Sequence, residues 1–381
     1  MSLPSSAAHP GPPAATTRVH IIGSGLIGAS VGMALRNKGF AVTLEDLSPT
    51  SAALARDLGA GDLLAEHPVP DAVDVVVTAT PPDVTANVVL AAQTRYPSAV
   101  VTDVASVKQI IVDEISERGG DLRRFVGGHP MAGRERSGAI AARADLFEGR
   151  TWVLTPTADT AEDALALVRH LAAATGAAVV ILDASEHDAA VAAVSHVPQI
   201  AASVVAARLE ELSETSIALA GQGVRDVTRI AASDPGLWTQ ILVGNAPAIQ
   251  VVLAEVIRDL QDLQTAMDDI ARDGAHDLGA PGSRAVIATR LAAGNAGHAR
   301  IPGKHGQAPT AYGSVVVLVP DEPGQLGRLF NDMGEVGVNL EDLRLDHAQG
   351  QPFGLAEVFV LPAALGHLID SLHERGWRLH V

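Results

Sequence analysis

Four short constellations combine residue types that do chemistry at spacings the chemistry needs. The first is Gly23-Ser24-Gly25-Leu26-Ile27-Gly28, which follows the apolar run Val19–Ile22 and opens a helical pattern. Gly23 permits a tight turn, and Gly25 lets the backbone approach a pyrophosphate. Gly28 lets the helix pack close to the strand, with phosphates at its positive N-terminal end. Asp46 stands 23 residues after Gly23, where a carboxylate would hold a ribose diol and repel a 2′-phosphate. No Arg follows within the next few residues, so NAD is favoured over NADP. The competing reading is a plain strand–turn–helix that happens to carry glycines.

The second constellation is Asp103-Val104-Ala105-Ser106-Val107-Lys108, at the end of another apolar run. Ligands of open parallel sheets sit beyond the strand C-termini, so Ser106 is placed to face a cofactor. It is equally placed to cap the helix expected over Val107–Arg118. The third is Gly127-Gly128-His129-Pro130-Met131-Ala132-Gly133, followed by Glu135, Ser137 and Gly138. That density of Gly and Pro predicts a loop of fixed shape presenting His129, whose imidazole can take a proton near neutrality, as alcohol oxidation requires. The fourth comprises Asp188, Ser195-His196-Val197-Pro198-Gln199, the run Gly221–Ile230, then Ser233-Asp234-Pro235 and Trp238. Polar groups in an apolar helical stretch are costly unless paired or functional. Arg225, Asp226 and Arg229 could form a salt-bridge cluster, or the arginines could clamp a carboxylate.

The elements that must carry these groups change character along the chain. Residues 1–17 are rich in Pro, Ala, Ser and Thr and read as a disordered tail. From 18 to 184, short apolar runs (Val19–Ile22, Ala41–Leu44, Val73–Ala79, Val100–Thr102, Trp152–Leu154, Ala178–Leu182) alternate with helical patterns. The fold class is therefore α/β, beginning with a Rossmann-type doubly wound parallel sheet. Residues 185–298 read as an all-α domain for substrate binding and dimerisation, with Pro247 starting or kinking a helix inside Pro235–Asp273. A Gly/Pro-rich linker over 299–312 leads to 313–381, whose βαββαβ pattern predicts a ferredoxin-like α+β unit.

Composition excludes several classes. The 381 residues carry 44 acidic and 27 basic side chains, a net charge of −17, which argues against nucleic-acid or anionic-membrane binding. There is no cysteine, hence no disulfide, thiolate nucleophile or zinc–thiolate site. The first 17 residues do not read as a secretory signal, and a cytoplasmic location is expected. One internal stretch, Ala189–Ala206, runs 18 residues without formal charge and includes Ser195, His196, Pro198 and Gln199, so it reads as a buried helix.

The four constellations, in this order, resemble the prephenate/arogenate dehydrogenase family over about Arg18–Ala296. The marks are GSGLIGAS, DVASVK, GGHPMAG-x-E-x-SG, SHVPQ and RDVTRIAASDPGLW. The resemblance implies NAD-dependent oxidative decarboxylation of prephenate to 4-hydroxyphenylpyruvate in tyrosine biosynthesis, or of arogenate to tyrosine. It implies that His129 takes the proton of the ring hydroxyl, with Ser106 orienting it. It also implies that Arg229 binds the ring carboxylate, Glu135 shapes access, His196 supports the site and Trp238 walls it. Where prephenate-specific members have a second histidine after S-H-x-P, this chain has the uncharged Gln199, which keeps arogenate open as substrate. No metal site is expected, since hydride transfer to NAD needs none.

The C-terminal unit resembles an ACT domain, on the marks Asp321-Glu322-Pro323-Gly324-Gln325-Leu326 and Gly337-Val338-Asn339-Leu340. Such domains pair and bind amino acids, which implies tyrosine as feedback effector and a homodimer. Ile301–Gly306 also resembles the ACT-containing branch. Two other classes compete: a non-catalytic NAD- or amino-acid-sensing regulator, and a hydroxyacid or imine dehydrogenase of similar architecture. His129, Ser106 and Arg229 count against the regulator. The GGHPMAG loop counts against the other dehydrogenases.

Overall fold

The structure, a computed structural model, describes residues 17–64, 73–133, 138–273, 282–301, 312–346 and 352–380. The expected tail (apart from Thr17), Glu135, Ser137, most of the linker and nearly all of Ile301–Gly306 lie outside the described residues. The chain forms two compact units, residues 1–255 and 256–381.

The first unit is built on eight strands: β1 (Arg18–Ile22), β2 (Ala41–Glu45), β3 (Asp62–Leu63), β4 (Val75–Thr78), β5 (Val100–Asp103), β6 (Phe125–Pro130), β7 (Thr151–Thr155) and β8 (Ala178–Ile181). Their order in the sheet is β3-β2-β1-β4-β5-β6-β7-β8. The order reverses between β1 and β4, and ligands of such sheets bind in the crevice outside that switch point. Val-rich runs suit this position because both faces are covered: Val75 and Val77 join one buried cluster with Ile21, and Val76 joins another with Val101. Helix Leu26–Arg36 buries Ala29, Val31 and Leu35 against the first face.

Two expectations are corrected here. The Gly127–Pro130 segment is not a loop but the last four residues of β6. It pairs antiparallel with β7, His129 opposite Val153, so the sheet is mixed rather than wholly parallel. The physical reason is room. A Cβ on Gly127 would lie 2.3 Å from Thr155 Oγ1, and one on Gly128 would lie 2.6 Å from the Asp103 carbonyl. These glycines are demanded by close neighbouring strands, not by a turn.

The helical part begins with a continuous helix of 24 residues, Ala184–Ala207, long and apolar enough to cross a membrane by length and composition. It contains a π-helical turn at Ala192–His196, after which Pro198 sits in the first turn of Val197–Ala207. The buried helix expected here is buried on one side only: Val191, Ala192, His196 and Gln199 face inward, while Val194 and Val204 are 69% and 60% exposed. Further on, Pro235–Gly244 and the helix from Ala246 meet at 95°, so the break falls at Asn245 and Pro247 sits near the start of the new helix.

In the second unit, strands β9 (Gly313–Pro320), β10 (Asp342–Asp346), β11 (Phe353–Val360) and β12 (Arg378–His380) form an antiparallel sheet in the order β10-β11-β9-β12. With helices Gln325–Glu335 and Pro362–Glu374 the sequence of elements is βαββαβ. Alternate strand residues (Val315, Val317, Val358, Val360) pack on Leu329, Met333, Leu368 and Leu372.

Candidate active site

At the switch point, the glycine loop is shaped by contacts that exclude side chains. Gly23 has φ +100°, and a Cβ there would sit 2.3 Å from the Ala79 carbonyl oxygen. A Cβ on Gly28 would lie 1.9 Å from the Gly23 oxygen, whereas Gly25 faces open space. No side chain caps the helix that starts at Leu26 and runs on through Ile27. Its first N–H groups and the missing Cβ of Gly25 therefore leave an open, positively polarised cradle that fits a pyrophosphate. Asp46 borders it. Its Oδ2 accepts from the Ser24 backbone N–H at 2.6 Å and from Ser24 Oγ at 2.8 Å, and Oδ1 accepts from Ser48 N–H at 2.8 Å. These bonds hold the Asp46 carboxylate beside the loop, where recognition of a ribose diol requires it.

Beyond β5, Ser106 is half-buried in the turn that leads to helix Gln109–Glu117. It does not cap that helix, contrary to one of its two expected roles. The cap comes from Asp188, remote in sequence, whose carboxylate accepts from the backbone N–H groups of Lys108 and Gln109, each at 2.9 Å. The side chain of Lys108 is wholly buried, ion-paired with Asp103, and donates to the Gly128 carbonyl at 2.7 Å. Asp103 also accepts from the Gly128 N–H at 3.2 Å. Together they clamp the backbone on the N-terminal side of His129.

His129 is buried, and its Nδ1 lies 2.8 Å from Nε2 of His187. His187 in turn places Nδ1 2.8 Å from Asp188 Oδ1. Desolvation, the nearby His187, and then the charges of Lys108 and His196, hold His129 well below the usual 6.5, so the imidazole is neutral. His196 is also buried, and desolvation pushes it down to about 4 despite the opposing pull of Asp188. Its Nδ1 lies 3.1 Å from Asn245 Nδ2, which also donates to the Asp188 carbonyl at 2.8 Å. The ring of Trp238 meets His196 edge-on, with centroids 6.1 Å apart.

The remaining expected residues fall around this cluster. Gln199 is buried and donates to Ser203 Oγ at 3.4 Å. Arg229 is exposed at the start of the turn Arg229–Ala231. The alternative Arg225/Asp226/Arg229 salt-bridge cluster is not formed, because Asp226 accepts instead from Gln222, one helical turn earlier, at 2.7 Å. Among the described residues Arg229 has no ion-pair partner. From the sequence, His187 entered only as one of three histidines without a metal-ligand pattern, and Asn245 was not singled out. The adjacency of His187 to Asp188 was the one available signal for the first.

Similarity to known proteins agrees with this geometry. The family described as prephenate dehydrogenase, nucleotide-binding domain, matches residues 31–181, and its companion, prephenate dehydrogenase, dimerization domain, matches 183–278. A curated Streptomyces niveus protein, named "Probable prephenate dehydrogenase NovF", is 38% identical over 359 residues, 94% of this chain and 98% of the relative. The chain belongs to the prephenate dehydrogenase family. Two solved family structures are also similar. Prephenate dehydrogenase from A. aeolicus, in complex with hydroxyphenyl propionate and NAD+, is 28% identical with a TM-score of 0.61, over 74% of this chain and 100% of that one. Synechocystis arogenate dehydrogenase is 25% identical with a TM-score of 0.59, over 74% and 99%. The Rossmann unit is thus the family's nucleotide-binding domain, and NAD is the cofactor that the cradle at Gly25 and the carboxylate of Asp46 fit.

Proposed function

We propose that this family member oxidises prephenate, with loss of CO2, to 4-hydroxyphenylpyruvate. The observation that carries the reading is a buried, neutral His129 at the C-terminal end of β6. It lies in the same sheet whose switch point holds the glycine loop. NAD, when bound, accepts the hydride from ring C4. His129 takes the proton of the C4 hydroxyl, and Ser106 hydrogen-bonds the hydroxyl region and orients the imidazole. Arg229, exposed and without an ion-pair partner among the described residues, binds the ring carboxylate until it departs as CO2. Trp238 walls the ring, His196 supports the site from the helical part, and Glu135, outside the described residues, shapes access. Aromatisation supplies the driving force, and positioning by the protein supplies much of the rate.

Arogenate is the second reading, favoured by Gln199. This buried amide carries no charge to match a keto acid over an amino acid. We also propose a homodimer formed through the helical part, supported by the exposed apolar side chains Val194, Val204 and Leu219 on a segment matching the family's dimerization domain. The βαββαβ unit, with Gly324 in a left-handed conformation before its first helix, supports an ACT domain that binds tyrosine as feedback inhibitor.

One assay tests these readings: NADH or NADPH formation at 340 nm with prephenate and with arogenate, with and without tyrosine. Faster turnover of prephenate with NAD, reduced by tyrosine, is the expected result. Turnover of arogenate alone would reassign the substrate and leave the chemistry of His129 intact. Silence with both would overturn the enzymatic reading of the site.

A further inference from the structure

We propose that His187 and Asp188 are positioning residues that lock the tautomer of His129, so that its Nε2 is the atom that accepts the substrate proton. The inference rests on His129 being the base, and it assigns work to a pair that the reaction as described leaves idle. The argument follows the hydrogens. An ionised carboxylate only accepts, so the hydrogen in the 2.8 Å contact between Asp188 Oδ1 and His187 Nδ1 belongs to His187. His187 is wholly buried, where a second ring hydrogen and the charge it brings would be costly, so with its one hydrogen on Nδ1 the other nitrogen, Nε2, presents a bare lone pair, 2.8 Å from His129 Nδ1. Two lone pairs do not face each other at that distance, so Nδ1 of His129 carries the hydrogen. Its Nε2 is left bare, as a base requires.

The lock is rigid because its anchor is. Asp188 also accepts from the backbone of Lys108 and Gln109, which ties it to the start of helix Gln109–Glu117, and His187 is fully buried. The other charged and titratable groups that face the pair are already engaged, Lys108 by Asp103 and His196 by Asn245. Asn245 fixes a complementary tautomer at His196. Its amide nitrogen is identified by the bond to the Asp188 carbonyl, so His196 Nδ1 accepts and Nε2–H remains a donor. The cluster thus holds one imidazole that accepts and one that donates.

In the reaction, the C4 O–H bond breaks as Nε2–H forms on His129, and the C4–H electron pair leaves as hydride to the cofactor. The ring C–CO2 bond then breaks into the ring, and the proton returns to the resulting phenolate oxygen. His129 is therefore an imidazolium only transiently. Asp188 offsets that charge through His187 without being protonated itself, as the carboxylate of a hydrolase triad does.

The test uses the full chain. Nitrogen-15 spectra of the imidazoles report which ring nitrogen carries hydrogen, and His129→Asn and His187→Gln assign the two signals among the 14 histidines. The expected result is Nδ1–H for both. Nε2–H at His129 would overturn the proposal. In kinetics, His187→Phe removes the acceptor and lowers kcat roughly 10²-fold, the lower end of what general-base catalysis supplies, with KM little changed. His187→Gln keeps an amide oxygen facing His129 and recovers at least ~10-fold of that loss. Equal damage in both variants would mean that His187 matters only for packing, and wild-type kcat in His187→Phe would reject the lock. His129→Asn keeps the two ideas apart. If it retains turnover, the reading of His129 as base has failed, whatever His187 does.

Discussion

The glycine loop and the His129 cluster lie in the same unit and are built on opposite plans. The loop takes its shape from what is absent. Gly23 and Gly28 have backbone or methyl groups within 3 Å of where a Cβ would stand, and Gly25 has nothing within 4 Å. The cluster takes its shape from hydrogen bonds between residues 58 and 80 positions apart, His129 to His187 and Lys108 to Asp188. Steric exclusion leaves one residue type possible and so writes itself into the sequence. A hydrogen bond between distant side chains does not, because the same histidine is equally acceptable facing solvent.

The largest test of that contrast is His129→Asn. It should lower kcat by ~10³-fold, within the range general-base catalysis contributes, while KM and NAD affinity stay near wild type. NAD binding measured by nucleotide fluorescence would show whether the two regions are separable. A parallel loss of NAD affinity would mean that the cluster shapes the cofactor site as well.

Within the loop itself the glycines should divide by what surrounds them. Gly28→Ala puts a methyl 1.9 Å from the Gly23 oxygen and should cost roughly 2–3 kcal/mol of stability, as overpacking does. Gly25→Ala meets nothing, so the melting temperature should hold while NAD affinity falls about 10-fold, because only the phosphates need that space. Equal melting losses in the two variants would break the steric account. Unchanged NAD affinity in Gly25→Ala would move the pyrophosphate elsewhere.

The same division explains what was legible beforehand. Apolar runs bounded by turns announced β1, β2, β4, β5, β7 and β8; the reason is plainest in β4, buried at every residue, since a strand covered on both faces must be apolar throughout, whereas β8 is apolar and largely exposed. β6 escaped because Gly127, Gly128 and Pro130 normally punctuate turns, and only the neighbours at Asp103 and Thr155 reveal why glycine is needed in a strand. The two-residue β3 has no pattern to detect. Ser106 was legible as a residue of the turn beyond β5 but not as one that leaves the capping to Asp188, since nothing local marks a cap supplied from 80 positions away. The break at Asn245 was half legible: Pro247 announced a discontinuity, while the role of Asn245 in joining Asp188 to His196 depends on the fold.

The smallest effect concerns acid stability, and its sign follows from burial. His196 titrates at about 4 in the folded protein against 6.5 for the exposed side chain, chiefly through desolvation. Above pH 6.5 it is neutral in both states and contributes nothing. As pH falls below 6.5 the unfolded chain takes up a proton that the folded chain refuses, so stability drops until about pH 4. At 1.36 kcal/mol per unit, that loss is about 2 kcal/mol at pH 5. Urea unfolding of the wild type and of His196→Gln, at pH 7 and pH 5, measures it as a difference of differences. The variant should lose about 2 kcal/mol less than the wild type over that interval, whatever the substitution costs at pH 7. Parallel losses would mean that His196 is solvated in the folded protein, and the polar cluster would then be looser than the glycine loop rather than its equal.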